Sequence, residues 1–331
     1  MGKQTLAEIG ELAFIRRIRS MMPGEGGSII RSVGDDCLVV EPVVDRQVLY
    51  TTDTFVDGVH FSPEFGTYEE IGLRCMAASV SDIAAMSGIP SYSLVSLSMP
   101  KTMVFDDAVC LFTGLSKTAE RYGCPVCGGE TTSTPGPLTV TITVIGSVEP
   151  ERLKTRSGAR GGDGIFITGC MGDAMAGLFA FQERKDGFGG LKRKFLTPEA
   201  RVDLSRKLTG SYGITAMIDL SDGLASDLFH ICEESGVGAL VETGRFPLSE
   251  DLLRLLAKTD QDPIEFAVTA GEDFELLFTS GDRALPDSFR VLDLPVTKIG
   301  AIIEPSRGIL LRHPDGTEQK LTVRGYEHFT S

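Results

Sequence analysis

Between Leu138 and Val148 the chain reads LTVTITVIGSV, in which Leu138, Val140, Ile142 and Val144 alternate with threonines. Side chains of a strand leave opposite faces with a period of two, so this segment has one apolar and one polar face. Strands of a doubly wound parallel sheet are apolar on both faces. A strand with one clean polar face therefore points to an antiparallel or mixed sheet. Gln47–Asp53 and Ser91–Met99 read as further strands. Tyr68–Ser87 and Asp106–Tyr122 read as helices, the second opened by Asp106 at an N-cap.

The pattern changes near residue 150. After GSVEPERLKTRSGARGGD a new unit is predicted, with strands over Gly164–Thr168, Ile214–Leu220, Phe274–Thr279 and Gly308–Arg312. Helices are expected after Gly172 and over Gly223–Ser235. Strands and helices are mixed rather than strictly alternating. The expectation is an α+β protein of two domains, residues 1–149 and 150–331. With 331 residues, each domain can bury its own core.

Charge narrows the function. The formal net charge is −14, which argues against non-specific nucleic-acid binding and anionic membrane surfaces, both of which need a basic footprint. Charges or Gly and Pro interrupt every apolar run before it reaches membrane-spanning length. The first twenty residues read as a short amphipathic helix, with Glu8 and Glu11 where a signal peptide would be apolar. The seven cysteines are expected to be reduced thiols in a cytoplasmic protein. The single CxxC, Cys124 to Cys127, has no second pair to complete a zinc site and reads as structural.

The carboxylates gather beside Gly, Ser and Thr in short segments: Gly34-Asp35-Asp36, Thr51-Thr52-Asp53-Thr54, Ser81-Asp82, Gly128-Gly129-Glu130, Asp219-Leu220-Ser221-Asp222-Gly223 and Gly271-Glu272-Asp273. Each alone is most simply a turn, and Asp222 could be only an N-cap. Together they can present hard oxygen ligands to a divalent cation, with Gly admitting phosphate to the backbone. Asp82 lies on a helical stripe with Cys75 and Ala78, where a carboxylate needs a positive partner. No P-loop, protein-kinase or DxDxT phosphatase motif is present. The Gly-rich turn Thr168–Asp173, opening a helix, reads equally as an anion cradle or a plain strand-to-helix turn.

GDDC at 34–37, TTDTFVDGVHF at 51–61, SVSDIAAMSGIP at 79–90, GGETT at 128–132, TRSGARGGD at 155–163, DLSDGLASDL at 219–228 and AGEDFEL at 270–276 occur in this order. The set resembles the thiamine-monophosphate kinases, of the aminoimidazole-ribonucleotide synthetase-like superfamily, over nearly the whole chain. The resemblance implies ATP and thiamine monophosphate as substrates and thiamine diphosphate as product. It implies an N-terminal domain that binds ATP and magnesium and pairs with its twin in a homodimer, and a C-terminal domain that completes the active site. Two polyanions must meet, which accounts for several Mg²⁺ ions.

Carried over position by position, Asp36, Thr51, Thr52, Asp53, Asp82, Glu130, Asp219 and Asp222 match metal ligands. Asp82, Asp53 and Asp219 act in catalysis through those metals. Gly129, Glu130, Arg156 and Ser221 match ATP contacts. His60, Glu272, Asp273 and Phe329 match the acceptor site. The family usually has Asp where this chain has Glu130, which keeps the charge but lengthens the side chain; activity is expected to be retained. The rivals are a sister ATP-dependent synthetase of the superfamily, a non-catalytic nucleotide- or metal-binding protein, and a magnesium phosphohydrolase.

Overall fold

A computed structural model describes residues 4–24, 26–31 and 38–321. The chain divides into two compact units, Met1–Ile83 with Gly88–Glu151, and Ala84–Ser87 with Arg152–Ser331. Each combines helices with a sheet of its own, and the fold is α+β. No helix among the described residues is long and apolar enough to cross a membrane.

The first unit opens with α1 (Leu6–Ile9) and α2 (Glu11–Arg19). The sequence reads as one amphipathic helix here, but Gly10, at φ +88°, divides it in two. Phe14 of α2 is 1% exposed and meets Phe105 edge-to-face. A small antiparallel pair follows, β1 (Ile29–Arg31) and β2 (Val39–Val40). Then come β3 (Gln47–Val56), α3 (Tyr68–Ala85), β4 (Ile89–Pro100), α4 (Phe105–Arg121), β5 (Val126–Thr134) and β6 (Thr139–Val148). The N-cap of α4 is Val104, so Asp106 sits inside the first turn and complements the helix dipole instead of capping it.

The four strands form a mixed sheet in the order β3-β6-β4-β5, with only β4 and β5 parallel. The alternation of β6 is realised: Val140, Ile142 and Val144 are fully buried while the threonines between them are not. α3 is buried nearly all round, its Ala, Ser and Cys residues letting neighbours approach closely. The opposite sheet face carries Tyr50, Thr52, Thr54, Thr141 and Thr143 and remains largely open, with Tyr50 72% exposed.

The second unit contains β7 (Gly164–Thr168), α5 (Asp173–Gln182), α6 (Gly189–Leu196), α7 (Val202–Ser211), β8 (Ile214–Asp219), α8 (Leu224–Ser235) and β9 (Gly238–Glu242). It continues with α9 (Glu250–Leu256), α10 (Pro263–Thr269), β10 (Leu276–Ser280), β11 (Ser288–Val291), β12 (Leu294–Ile303), β13 (Ile309–Arg312) and β14 (Glu318–Lys320). Its sheet runs β14-β13-β9-β12-β7-β10-β8, with β11 alongside β12. Every residue of β7 and β10 is buried. Ile165 and Ile167 enter one core with Ile218, Leu228 and Leu277, while Phe166 enters a second with Leu204, Met217 and Phe278. This sheet is therefore covered on both faces, in contrast to that of the first unit.

Candidate active site

In the first unit the candidate residues lie on β3 and α3. Period two puts Thr51 and Asp53 of β3 on the face toward α3, and Thr52 and Thr54 on the open face. The Thr51 hydroxyl donates to Oδ2 of Asp82. Oδ2 of Asp53 is buried and has no hydrogen-bond partner. Burial, and then the charge of Asp82, raise the Asp53 carboxyl to about 6, with the Ser79 side chain tempering the shift. A buried carboxylate raised further by its neighbour's charge, with one oxygen orphaned, is a costly arrangement that a cation would relieve. The donors are all hard oxygens, the set that suits Mg²⁺. Among the described residues no three His, Cys, Asp or Glu side chains form a metal cage. Magnesium needs none, because it usually takes one or two carboxylates and completes its shell with phosphate and water.

Strand alternation separates other residues that the sequence grouped together. The Thr52 hydroxyl pairs with that of Thr143 at 3.2 Å, on the open face. Gly129 lies in the row Asp53–Ile142–Val95–Gly129, whereas Glu130 lies in the next row, with Thr54, Thr141 and Ser96. Glu130 is thus exposed on the face opposite Asp53 and Asp82, and its Oε1 accepts the N–H of Thr131 at 3.1 Å. Nδ1 of His60 accepts the N–H of Val56 at 3.0 Å, and its ring meets Phe55 edge-to-face. That acceptance leaves the imidazole proton on Nε2. Asp36 and Phe329 lie outside the described residues.

In the second unit Asp219 ends β8, and Leu220–Gly223 turns into α8. Gly223, at φ +99°, is the N-cap of α8, so Asp222 does not cap it. The turn is laced to the segment before β10: Leu220 N–H donates to Glu275, Glu272 N–H to Ser221 and Phe274 N–H to Leu220, all within 2.8–2.9 Å. A Cβ on Gly271 would stand 2.4 Å from the Ser221 carbonyl oxygen, so only glycine permits this approach. Glu272 and Phe274 both adopt positive φ, 66° and 51°. Non-glycine residues hold that conformation only where their surroundings over-determine it, typically at functional sites.

Glu272 and Asp273 now separate. Both oxygens of Asp273 are taken by the first amides around α5, Oδ2 by Gly172 N–H at 2.5 Å and Oδ1 by Ala174 N–H at 3.0 Å. The Gly-rich turn after β7 is therefore a cradle of backbone amides, and the group it holds is the Asp273 carboxyl. Glu272, half-buried beside it, is the better candidate for an acceptor contact. Arg156 is exposed, on a loop whose Thr155 carbonyl accepts Met217 N–H from β8 at 3.0 Å and whose amides at Gly158 and Ala159 donate to the Ser235 hydroxyl. The Cys124 and Cys127 thiols are buried and pushed up to about 12 and about 11 by that burial, which suits a structural pair.

Two family models match the chain, the N-terminal domain of AIR synthase related proteins over residues 34–148 and their C-terminal domain over 160–312. Thiamine-monophosphate kinase of Bacillus subtilis is 34% identical over 311 residues, which cover 91% of this chain and 94% of the relative. The chain belongs to the thiamine-monophosphate kinase family. Among solved structures, thiamine-monophosphate kinase from Stenotrophomonas maltophilia is 32% identical with a TM-score of 0.80, over 95% of this chain and 98% of that one. AaThiL complexed with AMPPCP and TMP is 31% identical with a TM-score of 0.77, over 99% and 100%.

In this member of the thiamine-monophosphate kinase family, three residues near the acidic turn escaped sequence reasoning. Asp227 of α8 is 1% exposed, and its Oδ2 accepts Ser221 N–H at 3.1 Å and Asp222 N–H at 3.3 Å. Burial, followed by the charges of Asp219 and Asp222, holds its carboxyl well above the usual range. Glu275, also 1% exposed, receives Nε and Nη2 of Arg201 at 2.9 and 2.5 Å and the Thr168 hydroxyl at 2.7 Å. The only sequence signal for Asp227 and Glu275 was their place inside the quoted motifs, and Arg201 lies outside all of them.

Asp273 makes a prediction of its own. Burial pushes its pKa from 3.8 up to about 8. Folding therefore takes up a proton at this carboxyl between those values, so its contribution to stability is fully present below 3.8 and is lost as pH rises through about 8. Asp273→Asn, which cannot ionise, should flatten thermal stability across that window. An unchanged slope would refute the assignment.

Proposed function

We propose that the protein transfers the γ-phosphoryl group of ATP directly to the phosphate of thiamine monophosphate, giving ADP and thiamine diphosphate. The observation that carries this reading is the match, along almost the full length of both chains, to relatives of that name and to AaThiL complexed with AMPPCP and TMP. Thr51, Asp53 and Asp82 of the first unit and Asp219 and Asp222 of the second would hold magnesium ions, with Asp36 completing the set. Bound there, magnesium would neutralise the charge of the phosphates as they approach.

The chain's own groups supply position and charge. Thr51 orients Asp82 by its hydrogen bond, so the carboxylate meets its ligand in a fixed rotamer. Arg156 offers a permanently charged, forked donor to the ATP phosphates, and Ser221 with Gly129 offers close backbone and hydroxyl contact. His60 and Glu272 serve the acceptor. The acceptor phosphate is already ionised near neutral pH, so no strong general base is required. The open face of the four-stranded sheet, with Tyr50 and Val48 exposed, supports a homodimer built on that face. The free thiols support a cytoplasmic setting.

Glu130 lies away from the Asp53–Asp82 pair, so we assign it to ATP and a more peripheral metal. Steady-state ADP formation with thiamine monophosphate, compared with free thiamine, tests the reading. ADP formation should depend on the phosphorylated acceptor. Equal rates with free thiamine would overturn the substrate assignment.

A further inference from the structure

We propose that Asp227 is a positioning residue that fixes the Asp219–Asp222 turn so that its carboxylates can hold a divalent cation, an inference that rests on the phosphotransferase reading above. Asp227 sits in the first turn of α8, where an acidic residue usually serves the helix dipole from an exposed position. This one is 1% exposed, and its bonds run backwards out of the helix, to amides five and six residues earlier. A single oxygen, Oδ2, brackets both amides of the turn. On its other side the same turn is held by the N–H groups of Glu272 and Phe274.

The turn is thus clamped from both sides, and each clamp is expensive. On one side two residues adopt positive φ. On the other, Asp227 is buried beside the charges of Asp219 and Asp222. A fold in need only of a helix start would be served by an ordinary cap. Costs of this kind are tolerated where backbone placement sets the position of functional groups. Partners that orient ligands without touching the ion typically change metal affinity by about 10- to 100-fold when removed.

The test is binding of the Mn²⁺–ADP complex to the full chain, read by electron paramagnetic resonance, for three variants. Asp227→Asn keeps the shape and one carbonyl oxygen, and should bind within about threefold of the unaltered protein. Asp227→Glu keeps the charge but cannot place an oxygen at both amides, and should bind at least about tenfold more weakly. Asp227→Ser, too short to reach either amide, carries the same expectation if glutamate prevents folding. Unaltered affinity in the Glu and Ser variants, even with lowered thermal stability, would show a purely structural role and overturn the proposal. Loss in the Asn variant as large as that in Glu would show that the charge itself is what counts, and would overturn it equally. Failure of the unaltered protein to bind Mn²⁺–ADP would instead remove the parent reading and this one with it.

Discussion

Asp82→Ala is expected to lower turnover of ATP with thiamine monophosphate by about 10³-fold, the scale seen when a principal electrostatic stabiliser of a transition state is removed. The same substitution should leave the fold intact or make it firmer. Alanine suits the last turn of α3, where Asp82 lies. Removing one charge also relieves Asp53, whose carboxyl is raised partly by Asp82. The loss of the Thr51 bond works in the opposite direction, at about 1 kcal/mol. Activity and stability thus part company at this residue, as they do where a site is arranged for a ligand rather than for the apo fold. Turnover within about tenfold of the unaltered protein would remove Asp82 from the reaction.

The second large effect concerns stability alone. Arg201 and Glu275 form a bidentate pair in which the side chains are 6% and 1% exposed. Arg201→Met would leave the Glu275 carboxylate buried with the Thr168 hydroxyl as its principal remaining partner, Lys194 lying 3.9 Å away. Stranding one member of a buried ion pair costs about 3–5 kcal/mol. For a unit of this size that corresponds to a fall in Tm of roughly 10 °C, readable by circular dichroism. Disrupting the exposed Arg312–Glu318 pair, 40% and 32% exposed, provides the contrast. A pair so open to solvent is screened, and its loss should shift Tm far less than that of the buried pair. Equal shifts from the two substitutions would contradict this ranking.

The strands and helices that frame the first acidic pair were legible because their signal is local. The alternation at residues 138–148 identified both the strand and the mixed character of its sheet, and α3 appeared where its small residues placed it. Strand alternation also implies that Thr52 parts from Thr51 and Asp53, and Glu130 from Gly129, although the motifs read as blocks. What was not legible depends on contacts distant in sequence. Asp273 serves an α5 amide some hundred residues earlier, and Arg201 finds Glu275 across 74. No periodicity announces such partners. Asp227 was hidden for the reverse reason: an Asp in a first helical turn has a sufficient local explanation, and only its burial and backward bonds reveal another.

The most direct measurement is ³¹P nuclear magnetic resonance of ATP and thiamine monophosphate incubated with the protein and Mg²⁺. The account predicts ADP and thiamine diphosphate appearing in equal amounts, with no product when either substrate is left out. Release of orthophosphate from ATP without the acceptor, or an unchanged thiamine monophosphate signal while ATP is consumed, would contradict it.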